Sequence, residues 1–89
     1  MKRFESDFTD CGSIGEVYAV IVREMELPRW FGQNSSAFWD ALTGMIETPA
    51  ILLFHKSTAD PELADYVEKL IAIARRAENE ADLKITVIE

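Results

Sequence analysis

Cysteine and histidine are almost absent from this 89-residue chain, which has one of each, Cys11 and His55. A lone cysteine excludes an intrachain disulfide and points to a reducing compartment, so the cytoplasm is the expected location. One cysteine and one histidine also exclude the paired-ligand spacings of zinc sites. Asp60, Glu62 and Asp65 lie close together, but they lack the glycine and bidentate acid of a calcium loop and read as helix-start acids favoured by the dipole. The four glycines, Gly12, Gly15, Gly32 and Gly44, stand apart and mark turns, so there is no glycine-rich phosphate cradle and no cofactor is expected. No apolar run approaches the roughly 20 residues of a membrane span, and Met1 to Asp7 lacks the apolar stretch of a signal peptide. Basic residues are also few. Nine lysines and arginines face sixteen acids, a net charge of -7. That balance argues against nucleic acid as a direct ligand and favours a basic partner, although it also serves solubility.

What is present suits one domain spanning residues 1–89, at 48% hydrophobic and 10% aromatic content. Lys2 to Phe8, with Phe4 and Phe8 in phase, reads as a first strand. Ser13-Ile14-Gly15-Glu16 fits a capping box, and Ile14, Val17, Tyr18, Ile21 and Met25 repeat at helical spacing, predicting a helix from Ile14 to about Glu26 stopped by Pro28. Asn34 is the expected N-cap of a second, short helix, with Gly44 as its left-handed terminator. Pro49 introduces Ala50-Ile51-Leu52-Leu53-Phe54, whose unbroken apolar run predicts a central strand covered on both faces. Asp60-Pro61-Glu62 starts a third, long helix carrying Leu63, Val67, Leu70, Ile71, Ala74 and Ala77, and Leu83 to Ile88 closes as a β-branched strand. The order β, α, α, β, α, β implies a small parallel sheet with helices packed against it.

The segment from Pro28 to Pro49 is the most informative. At about 100° per residue, Phe38, Ala41, Leu42 and Met45 fall on one face of the short helix, a core stripe, while Ser36, Trp39, Asp40 and Thr43 fall on the other. Folding alone gives little reason to place a tryptophan beside an acid on the outer face. Of Trp30 and Phe31, one ring is expected inward and the other outward. The outward ring and Trp39 would supply the rigid contact area that binding hot spots favour. Catalysis has only His55 beside Lys56 at a strand end, with no nucleophile elbow or partner base, so the chain is read as a non-enzyme.

Pro28-x-Trp30-Phe31-Gly32-x-Asn34, followed by Phe38-Trp39-Asp40-x-Leu42-Thr43-Gly44 and Pro49, resembles the signature of the barstar family of intracellular ribonuclease inhibitors. The flanking elements agree with that fold in order and length. The resemblance implies the α/β barstar-like fold, a three-stranded parallel sheet packed against three to four helices. It also implies an inhibitor or immunity protein that plugs a basic ribonuclease one-to-one with its turn and short helix. By that resemblance Asp40 enters the pocket that takes RNA phosphate and Trp30 and Trp39 pack around it. Gly32, Asn34, Thr43, Gly44 and Met45 occupy neighbouring contact or shaping positions. The chain departs from the family where Ser36 replaces a second acid and Met45 a tryptophan. In ungapped register Ala77, flanked by Arg76 and Glu78, replaces a further acid. These changes point to a ribonuclease of different surface or another basic toxin. The alternative is an interaction module of the same fold that binds a basic partner other than a nuclease.

Overall fold

The computed structural model describes residues 1–89. Three strands, β1 (Lys2–Asp7), β2 (Ala50–His55) and β3 (Leu83–Ile88), form one parallel sheet in the order β1-β2-β3. The helices are α1 (Ile14–Glu24), α2 (Ser35–Asp40) and α3 (Ala64–Ala77). A π-helical turn over Ala41–Met45 prolongs α2, and a 3-10 turn over Pro61–Leu63 leads into α3. The fold is therefore α/β, with β2 central as its apolar run implies.

Local chemistry sets the helix ends. Ser13 Oγ accepts from the Glu16 amide at 3.2 Å, and Glu16 Oε1 reaches back to the Gly12 amide at 2.9 Å, so the capping box closes one residue further out than the usual reciprocal pair. At the other end α1 stops at Glu24, two residues before the expected limit. Glu26 takes a left-handed φ of 55°, and the Leu27 amide bonds back to the Val22 carbonyl at 3.0 Å. That six-to-one bond is a Schellman closure, so the terminator is Glu26 and not Pro28. Asp60 Oδ1 caps the Glu62 amide at 2.9 Å behind Pro61, as its sequence suggests.

The sheet is covered on one face. Phe4, Ala50, Leu52, Phe54, Leu83 and Ile85 share a single 24-residue apolar cluster with Val17, Tyr18 and Ile21 of α1, Phe38 of α2, and Val67, Leu70 and Ala74 of α3. The expectation that β2 is buried on both faces is corrected. Ile51 is only half-buried, and Leu53, though 9% exposed, lies outside that cluster. In register Leu53 stands between Glu5 and Thr86, and Ile51 between Arg3 and Lys84, so long or branched neighbours flank them where a second helical layer would otherwise lie. Period-2 geometry sends Leu52 and Phe54 inward and leaves Leu53 to this second face, a distinction that an all-apolar run conceals.

Candidate functional site

The site is built by one short helix held at both ends. Asn34 adopts extended backbone and its Oδ1 accepts from the Ala37 amide at 2.8 Å, starting α2 as expected. A Cβ at Gly32 would come to 3.1 Å from Asn34 Nδ2 and 3.5 Å from Ala37 Cβ, so the absent side chain lets the turn close over the cap. Before it, the Phe31 amide bonds the Pro28 carbonyl at 3.0 Å. This turn separates the two aromatics. Phe31 is 7% exposed and its ring lies 6.2 Å from that of Tyr18, whereas Trp30 is 78% exposed.

On α2, Phe38 is fully buried and meets Phe54 edge-on at 6.4 Å, with Ala41 and Leu42 buried behind it. That anchor decides what faces outward. Ser36 and Asp40 are exposed, and Trp39 is half-buried, its indole packed against the edge of the core. The Arg76 guanidinium of α3 lies over the indole, 5.4 Å from the ring centre. Ser35, Ser36, Trp39, Asp40, Ile73 and Arg76 line a depression of about 360 Å³.

Asp40 belongs to none of the six ion pairs of the chain. The side-chain hydrogen bonds of its segment belong to Asn34 and Thr43, whose hydroxyl donates to the Trp39 carbonyl at 2.9 Å. An acid that lies beyond the first turn of its helix gains nothing from the dipole. An exposed carboxylate without an internal partner contributes little to folding and keeps its hydrogen-bonding capacity for another molecule.

The π-helical turn changes two expectations. The Ile46 amide bonds the Ala41 carbonyl at 3.0 Å, five residues back, in place of the α-helical four. The extra residue carries Ile46 onto the core, where it packs against the buried cluster, and turns Met45 outward to 40% exposure. The core stripe is therefore Phe38, Ala41, Leu42 and Ile46, and Met45 leaves it for the surface. Gly44 is exposed but has no positive φ, and a Cβ there would meet nothing within 4 Å, so it is part of the turn and not a left-handed terminator.

The structure brings Ser36, Trp39 and Asp40 together around the depression with Ser35 of the same helix, and adds Ile73 and Arg76 of α3, which the short helix alone does not reveal. Trp30, Gly32, Asn34, Thr43, Gly44 and Met45 lie along the same segment but do not line it. On α3, Ala77 is fully buried, so this position offers no contact to a partner. Glu78 is already engaged, its Oε2 accepting from the Ile85 amide at 2.8 Å. Of Ala77, the position that the family register singles out, and its neighbours Arg76 and Glu78, Arg76 is the one presented beside Trp39. His55 lies on the other face of the sheet, its Nε2 2.5 Å from Glu5 Oε2.

Fold and site together define a two-layer α/β domain that displays an unpaired carboxylate and a partly exposed indole on a rigidly anchored short helix, the makings of a protein-binding surface. The chain belongs to the barstar family: the pattern described as Barstar (barnase inhibitor) matches residues 1–88. A Bacillus subtilis (strain 168) protein named "Putative ribonuclease inhibitor YrdF" is 22% identical over 89 residues, covering 99% of this chain and 98% of that protein. Members of this family are inhibitors and not enzymes, and the partner this membership implies is a protein such as a ribonuclease. No helix is long and apolar enough to cross a membrane.

Proposed function

We propose that this chain inhibits a basic ribonuclease in the cytoplasm by forming a one-to-one complex in which the segment 30–45 covers the active site and Asp40 takes the place of RNA phosphate. The observation that carries the reading is the exposed, internally unpaired Asp40 carboxylate beside Trp39, on a helix that buried Phe38 holds fixed. In a pocket that binds phosphate, lysine, arginine or histidine side chains meet such a carboxylate through charge-assisted hydrogen bonds, which strengthen as both sides lose water. Trp39 and the outward Trp30 supply apolar contact around that charge, and the net charge of -7 speeds encounter with a cationic enzyme.

Asn34 and Gly32 act by shaping the turn, Thr43 by tying the helix end to the Trp39 carbonyl. Ser36, Gly44 and Met45 are exposed surface that the partner covers. Titration of the purified chain against a panel of small secreted microbial ribonucleases tests the reading. Inhibition of at least one, with matching binding by calorimetry, is expected. Neither inhibition nor binding across the panel refutes it. Capture of a basic protein without nuclease activity, released by Asp40→Ala, would establish the interaction-module reading instead.

A further inference from the structure

The depression that presents Asp40 also presents a cation. Arg76 lines it from α3, joins none of the ion pairs of the chain, and lies over the Trp39 ring at 5.4 Å. The cation–π contact with the indole favours this placement of the guanidinium, so its charge is biased toward the depression before any partner arrives. A body that fills the depression to reach Asp40 must therefore also cover Arg76. Covering an arginine without an acceptor leaves an unpaired charge stripped of water, which costs more than the apolar contact returns. With Ser35 and Ser36 as neutral neighbours, the site has one negative and one positive pole.

We infer that the partner presents a carboxylate at the rim of its cationic pocket, placed to pair with Arg76, and that Arg76 is the residue by which this chain chooses among basic targets. This rests on the proposed function, whose Asp40 contact fixes where the partner sits. A target whose cleft is rimmed by cations alone is rejected by like-charge repulsion, so discrimination comes as much from exclusion as from attraction.

The test uses the same ribonuclease panel with wild type, Arg76→Gln, Arg76→Glu and Asp40→Ala, reading inhibition, calorimetric binding and the salt dependence of association, with thermal melts to verify folding. For each nuclease inhibited, Arg76→Gln is expected to weaken binding about tenfold and Arg76→Glu on the order of 100-fold. Replacing the rim carboxylate of that nuclease by lysine should restore binding to Arg76→Glu. Binding that depends on Asp40 yet is unchanged or tightened in both Arg76 variants overturns this inference and leaves the proposed function standing. A wild-type chain and Arg76 variants that bind no nuclease overturn both. An Arg76→Glu chain that gains targets the wild type lacks, while losing none, also overturns the inference, because Arg76 is then only an obstacle.

Discussion

Replacing Asp40 by alanine should separate binding from folding, because in this structure the two draw on different atoms. The carboxylate is exposed, is in no ion pair, and caps nothing. Removing a surface group of this kind usually alters stability by about 0.5 kcal/mol or less. The higher helix propensity of alanine adds a few tenths of a kcal/mol in the stabilising direction. The melting transition should therefore move by the equivalent of less than about 1 kcal/mol. In the proposed complex the same carboxylate would be desolvated against cations, and truncating one partner of a buried, hydrogen-bonded charge pair costs about 2–5 kcal/mol. At about 1.4 kcal/mol per tenfold, the dissociation constant should rise between about 30-fold and several thousand-fold. Calorimetry against an inhibited ribonuclease, paired with thermal or urea melts of the free chain, reads both quantities. Asp40→Asn keeps the shape and removes the charge, so it should lose most of the same affinity. Unchanged affinity in both variants would refute the phosphate-mimic argument. A stability loss above about 2 kcal/mol would instead place the acid in the folding of the chain.

Core and capping changes should instead act on the stability of the free chain. Leu70 is almost fully buried on the inner face of α3, and Leu70→Ala should cost about 2–5 kcal/mol in denaturant melts, with the cavity deciding where in that range it falls. The Tyr18 and Tyr66 hydroxyls are hydrogen-bonded to each other, and burial pushes the Tyr18 phenol well above its ordinary pKa. Tyr66→Phe leaves the Tyr18 hydroxyl buried without that partner, and the free chain should lose about 1–3 kcal/mol. Asn34→Ala removes the only side-chain cap of α2 and should cost about 0.5–2 kcal/mol, with faster amide exchange over residues 35–40 as the local signature.

The amino-acid sequence by itself determines the elements and their order. Ser13, Asn34 and Asp60 announce helix starts because a short oxygen-bearing side chain satisfies a backbone amide within its own turn, which requires no distant residue. The outward placement of Asp40 is likewise legible, since the spacing of Phe38, Ala41 and Leu42 fixes one face of α2 and hence the other. Trp30 and Phe31 are decided only by the turn that Pro28 and Gly32 shape, which buries one ring against Tyr18 and leaves its neighbour in water.

Tertiary structure alone decided the rest. Whether Ala50 to Phe54 is covered on one face or two depends on where three helices settle, and all three settle on the same side of the sheet. The π-helical turn that exchanges Met45 for Ile46 in the core goes with the packing of Ile46 against the buried cluster, because five-residue and four-residue hydrogen bonds differ too little locally for spacing to reveal the choice. Arg76 reaches Trp39 across a separation of 37 positions, 76 against 39, and only the packing of α3 beside α2 makes them neighbours. Periodicity reports which side of an element is apolar; the union of two elements into one charged surface arises from long-range packing, which a local pattern does not encode.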